Sequence, residues 1–124
     1  CDYCVQGADP THDSGAARMS LDTAARVGAW MEARLDEVRP SRFTLTFFGG
    51  EPLLNLPVVE YLAERLWHAC QQRGIRGGVS LITNGLLLTE AVVDRLLPFG
   101  LNGVKITLDG DRTTHDRLRP LRGG

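Results

Sequence analysis

From residue 20 onward the apolar positions switch between helical spacing and short unbroken runs. Leu21, Ala24, Ala25, Gly28, Met31, Leu35 and Val38 fall on one stripe, which predicts an amphipathic helix over Leu21–Val38. Ser20 suits its N-cap, Asp22 favours the first turn, and Pro40 ends it. The run 43–48, Phe-Thr-Leu-Thr-Phe-Phe, has the composition and length of a buried strand. Pro57 suits the first turn of a second helix. That helix carries Val59, Leu62, Ala63, Leu66 and Cys70 on one face, with Gly74 as its stop. Gly77-Gly78 read as punctuation before a short strand over 79–83, which ends in Asn84-Gly85. Thr89 can cap a third helix bearing Val92, Val93, Leu96 and Leu97, closed by Gly100 or earlier by Pro98. A third strand is expected over 104–108, ending in Asp109-Gly110. The charged remainder, 111–120, reads as a loop.

Helix, strand, helix, strand, helix, strand at this spacing implies βα units around a parallel sheet, open or closed as a barrel. In such folds sites form beyond the C-terminal ends of the strands. Each predicted strand ends in a polar or glycine-rich group: Gly49-Gly50-Glu51, Thr83-Asn84-Gly85, and Thr107 with Asp109-Gly110. Each alone is ordinary turn chemistry. On one rim, Glu51, Asn84 and Thr107 could together hold a polar small molecule by hydrogen bonds. Two adjacent glycines remove both Cβ atoms, so the backbone at Gly49-Gly50 can come close to a ligand.

The 124 residues suffice for one domain with its own core. A net charge of −1 gives no electrostatic reason to expect nucleic acid as a partner. No apolar run approaches membrane-spanning length, and no N-terminal stretch reads as a signal peptide, so a cytoplasmic location is the default expectation. The chain opens on Cys1 and stops at Gly123-Gly124 after a basic run. Both ends look cut, as in a piece of a longer protein.

Cys1-Asp-Tyr-Cys4 is a Cys-x-x-Cys pair. A redox reading would need a helix opening directly after a strand. A zinc reading would need a second Cys/His pair, which His12, His68, His115 and Cys70 do not form. An iron–sulfur reading would need more than two thiolates. Cys70 lies on an apolar helix face and reads as core. His115-Asp116 is a candidate acid–base pair. Of Arg112, Arg117, Arg119 and Arg122, one could clamp a carboxylate bidentately.

Several of these segments match one family. Cys1-Asp-Tyr-Cys4 resembles the last two cysteines of the Cys-x3-Cys-x2-Cys motif of radical S-adenosylmethionine (radical SAM) enzymes. Phe48-Gly-Gly-Glu-Pro52 resembles the family's Gly-Gly-Glu-Pro motif, and Ile82-Thr-Asn-Gly85 its third-strand signature. Thr107-Leu-Asp-Gly-x4-His-Asp-x2-Arg119 resembles a signature of the peptide- and protein-modifying branch, which often carries a SPASM or twitch domain. Threonine stands at 107 where serine is usual.

The resemblance implies an α/β fold: a partial (β/α)6, TIM-like barrel whose parallel strands alternate with helices. Residues 1–124 would be part of that core domain, lacking its first strand, its first motif cysteine and its later units. Cys1 and Cys4 would ligate a [4Fe-4S] cluster together with a cysteine four residues before Cys1. S-adenosyl-L-methionine would chelate the open iron. Gly49, Gly50 and Glu51 would meet its methionine amine, largely through the backbone. Asn84 and Thr107 would face the cofactor, Thr107 near the ribose. Arg119 would pair with the methionine carboxylate, and Tyr3 would contact the adenine side. A reduced cluster, fed by an external electron donor, would yield a 5′-deoxyadenosyl radical that abstracts hydrogen from a peptide or protein substrate, as in a peptide maturase. The alternatives are a small-molecule substrate in cofactor biosynthesis, or a degenerate member that binds a peptide without catalysis. With two motif thiolates, the 124 residues alone are expected to be inactive.

Overall fold

In a computed structural model, which describes residues 18–119, helix α1 spans Leu21–Val38. Ser20 caps it through its side chain, which accepts from the Thr23 N–H at 3.1 Å. Pro40 disfavours a right-handed helical conformation at the residue before it. Arg39 instead turns left-handed, at φ 47° and ψ 55°, and its N–H closes on the Leu35 carbonyl at 2.9 Å. Only Ala24, Gly28 and Leu35 of the predicted stripe are fully buried. Leu21 and Val38, at the helix ends, are exposed.

Strand β1 is Arg42–Phe47, one residue earlier than expected, and Phe48 is left 70% exposed beyond it. A short 3-10 turn, Pro52–Asn55, leads into helix α2, Leu56–Gln72, which has a proline in its first turn as expected. Strand β2 is Arg76–Thr83, longer than the sequence suggests. Gly77-Gly78 are not punctuation but part of the strand. A Cβ on Gly77 would lie 3.0 Å from the Cys70 Cβ, and one on Gly78 would lie 2.3 Å from the Asn102 side-chain nitrogen. Glycine is here because neighbours come close. Helix α3, Glu90–Leu96, is capped by Thr89 and tightens into a 3-10 turn, Leu97–Phe99, at Pro98. Gly100, at φ 79°, closes it.

Strand β3 is Leu101–Ile106, not 104–108. Pairing with β2 sets these limits, because Val79 faces Leu101 and Thr83 faces Ile106. One irregularity at Val79/Ser80 absorbs the extra residue Asn102. The sheet has the order β1-β2-β3, and both pairings are parallel.

The helices cover one face of this sheet. Val79 and Leu81 of β2 pack with Leu53, Val59, Ala63 and Leu96, and Phe47 and Leu101 add to that cluster. Leu35, Ala69, Cys70 and Ile75 form a second cluster under Phe43. Ala24, Val58 and Leu62 form a third, under Leu45 and Phe47. On the opposite face the Thr46 and Ser80 hydroxyls lie 2.9 Å apart.

Helices α1 and α2 are fastened side by side by two arginines. Arg65 donates to both Glu32 oxygens, at 2.7 and 2.9 Å, and also to the Ala25 carbonyl and the Tyr61 hydroxyl. Gly28 makes room for it, since a Cβ there would lie 2.9 Å from the Arg65 Cδ. Arg73 grips both Asp36 oxygens at 2.7 and 2.8 Å.

Arg18–Ile106 form one unit, and residues 107–119 belong to another. The latter stretch is not the loop that its charge suggests. Asp111 accepts from the Thr114 N–H at 2.9 Å and caps a seven-residue helix, α4, Arg112–Leu118. The cap fixes the first turn although the segment has no apolar stripe.

Candidate functional site

Parallel pairing sets the C-terminal ends of β1, β2 and β3 along one edge of the sheet. The expected cradle begins where β1 stops. Among the described residues, chain neighbours aside, no atom lies within 4 Å of the Cβ position of Gly49. Glu51 follows in extended conformation, and its carboxylate is the best-connected group of the edge. It accepts from the Leu53 N–H at 3.0 Å, which caps the 3-10 turn. It accepts from the Asn84 N–H at 2.8 Å. The Thr83 hydroxyl lies 2.8 and 2.9 Å from its two oxygens and donates to it. Thr83 Oγ1 in turn accepts from the Gly85 N–H at 3.1 Å.

A carboxylate accepts only, and each of its partners here is a donor, so the set is internally matched. The chemical consequence is specific. Glu51 ties the end of β1 to the end of β2, two points 32 residues apart in the chain. Its side chain holds the loop in place, and the Gly49-Gly50 backbone is presented beside it. Thr83, almost fully buried, is the member that the sequence reading left out of the site. Its position as the last residue of a strand, before Asn-Gly, was the available signal.

Asn84 contributes its backbone rather than its side chain to this network. Its Oδ1 accepts from the Leu86 N–H at 2.9 Å, the turn bond typical of asparagine. Gly85 sits at φ 84°, and a Cβ there would lie 3.1 Å from the Ile106 Cδ1. The left-handed backbone first, and the nearby Ile106 side chain second, favour glycine in this turn.

In the other unit, Thr107 is exposed. Arg119 pairs through Nε with the Asp109 carboxylate. The Asp109 N–H donates to the His115 Nδ1 at 3.3 Å. Sequence adjacency suggested His115 with Asp116, but the structure does not assemble that pair. Asp116 turns to Arg112 at 3.5 Å on the exposed side of α4, while His115 faces Asp109. The Asp111 carboxyl lies below the ordinary aspartate range, chiefly because the Thr114 N–H donates to it.

Cys1, Tyr3 and Cys4 lie outside the described residues, so the expected cluster ligands are not part of this geometry. Among the described residues no group of three or more His, Cys, Asp or Glu side chains is placed to hold a metal. Cys70 is fully buried, and desolvation pushes its thiol above the usual range. A thiolate ligand needs the opposite shift. No helix among the described residues is long and apolar enough to cross a membrane.

The family model described as Radical SAM superfamily matches residues 1–124. Over 114 residues the chain is 31% identical to a protein of Methanosarcina barkeri (strain Fusaro / DSM 804) named AdoMet-dependent heme synthase. That match covers 90% of this chain and 31% of the relative. Over 79 residues the chain is 33% identical to the Fe-coproporphyrin III synthase of the same organism, covering 64% of this chain and 18% of that one. The chain thus spans less than a third of the length of either relative.

Proposed function

The chain belongs to the radical SAM superfamily, and from that premise we propose that it forms part of an enzyme acting on a small molecule in cofactor biosynthesis, with a tetrapyrrole as the substrate class. The family uses a [4Fe-4S] cluster and S-adenosylmethionine. When bound, these supply a 5′-deoxyadenosyl radical that abstracts hydrogen from substrate.

The observation that carries the cofactor reading is the Glu51 network. With the Glu51 carboxylate committed to Thr83, Asn84 and Leu53, we assign the ammonium group to the adjacent glycine backbone. We assign the amino-acid end of S-adenosylmethionine to this backbone, since among the described residues nothing but chain neighbours lies within 4 Å of where a Gly49 side chain would stand. On this reading the carbonyls at Gly49 and Gly50 accept from the methionine ammonium. Glu51 adds negative charge nearby without moving. Asn84 and Thr107 contribute polar groups toward the nucleoside, and Arg119 holds the methionine carboxylate. Cys1 and Cys4 ligate the cluster, with Tyr3 beside the adenine. An external reductant delivers the electron.

The substrate class rests on the relatives' names, and the broader of the two matches extends over nearly the whole chain. The signature at 107–119 is what favours a peptide or protein substrate, as in a SPASM-type maturase. Those residues bear on the cofactor in the reading above, so they do not choose a substrate.

The test is anaerobic reconstitution of the full-length protein with iron and sulfide, reduction by dithionite, and chromatographic measurement of 5′-deoxyadenosine. Fe-coproporphyrin III is expected to raise its formation severalfold over the substrate-free rate. A rise with a panel of ribosomally made precursor peptides, and none with the porphyrin, would overturn the proposed substrate class.

A further inference from the structure

We infer that Asp109 and His115 are positioning residues for Arg119, setting its guanidinium before any cofactor arrives. The inference rests on the proposed role of Arg119 toward the methionine carboxylate. Asp109, His115 and Arg119, the last ten positions after the first, are drawn into one relay. The Arg119 Nε contacts the Asp109 Oδ2. The Asp109 N–H donates to the His115 Nδ1, and the Arg119 N–H closes on the His115 carbonyl at 2.8 Å. The side chains of Asp109, Arg119 and His115 are 14%, 21% and 30% exposed, so the relay is largely shielded, unlike the Arg112–Asp116 pair on the same helix.

Each link has a defined job. An arginine side chain has many rotamers, and a ligand that must order it loses affinity. Contact at Nε fixes the plane of the guanidinium, because the fork is rigid once that nitrogen is placed. The contact is made at Nε and leaves the group cationic. Asp109 can do this only if its own backbone is fixed. The His115 ring does that by accepting at Nδ1, which requires the neutral tautomer carrying its proton on Nε2. The Asp-Gly-x4-His-x3-Arg spacing is therefore explained by one function. The glycine turns the chain at φ 116°, α4 brings the histidine back to the turn, and one further helical turn brings the arginine.

The experiment is equilibrium binding of radiolabelled S-adenosylmethionine to the full-length, cluster-reconstituted protein, without substrate or turnover. Arg119→Lys should raise Kd at least tenfold. Asp109→Asn should raise it about fivefold to twentyfold with the unfolding midpoint little changed. In the Arg119→Lys background, Asp109→Asn should add less than twofold, because it acts through the arginine. If Asp109→Asn proves unstable, His115→Leu serves in the same cycle, expected to raise Kd threefold or more alone and to add little to Arg119→Lys. An unchanged Kd, or effects that multiply with that of Arg119→Lys, would overturn the positioning role. An unchanged Kd in Arg119→Lys itself would instead overturn the role of Arg119.

Discussion

A single carboxylate decides the geometry of the candidate site. Glu51 gathers donors from Leu53, Thr83 and Asn84, and hydrogen bonds to a charged group contribute about 1.5–3 kcal/mol each. Glu51→Gln keeps the shape but places an N–H₂ group against one of these donors. It should lower stability by about 1–2 kcal/mol in chemical denaturation. It should also weaken S-adenosylmethionine binding several-fold, since the glycine backbone is no longer held in place. An unchanged affinity would show that the loop keeps its conformation without the carboxylate. The glycines, Glu51 and Asn84 were legible as residues from turn chemistry at strand ends. What the acid binds was not, because its main partners lie 32 and 33 residues further on and are named only by the sheet register.

At the level of elements, close approach explains both the successes and the misses of the sequence reading. Helix α1 was legible to the residue because its cap, stripe and following proline agree. Helix α4 was not, because a seven-residue helix set by Asp111 leaves no periodic pattern to read. Strand β2 looked short because Gly77-Gly78 resemble a break, yet their neighbours leave no room for a Cβ. Strand β3 was placed late, over 104–108. Pairing with β2 starts the strand at Leu101, and Leu108 lies beyond it and is exposed. The glycines offer a controlled comparison. Gly74 and Gly100 both have positive φ, 66° and 79°, but among the described residues a Cβ at Gly74 meets nothing within 4 Å, whereas one at Gly100 would lie 2.4 Å from the Trp67 Cζ3. Gly74→Ala should cost about 1–2 kcal/mol for backbone strain alone. Gly100→Ala should cost a further 1–3 kcal/mol or so for overpacking. Urea midpoints at equal m-value would show the difference, and equal shifts would mean that Trp67 yields freely.

Across the molecule, the α1–α2 layer carries a built-in sensitivity to acid. Hydrogen bonds from Arg65 hold the Glu32 carboxyl below its ordinary value of 4.5, and Arg73 does the same to Asp36, whose ordinary value is 3.8. A carboxyl whose folded-state pKa is lowered stabilises the fold above its unfolded-state value and loses that contribution as pH falls through the folded one. The layer should therefore hold its stability at neutral pH and lose it progressively from about pH 4.5 downward. Glu32→Gln should lose about 1 kcal/mol at pH 7, since the pair is partly exposed, and should show a shallower decline in acid. A decline as steep as that of the parent protein would assign the acid response elsewhere. The alternation of helices and strands, and hence the parallel sheet, was legible from periodicity alone. These pairs were not, since charges 33 and 37 residues apart carry no pattern until the helices lie side by side.

The sheet order β1-β2-β3 repeats the order of the chain. Among the described residues each strand pairs with its immediate successor, and no later strand is inserted between two earlier ones. During synthesis, each helix–strand unit can dock on the unit before it as soon as it clears the ribosome, without waiting for distant sequence. The growing edge is then always the newest strand. It offers unpaired backbone groups to whatever emerges next, so an interruption in translation leaves a sticky template rather than a finished surface.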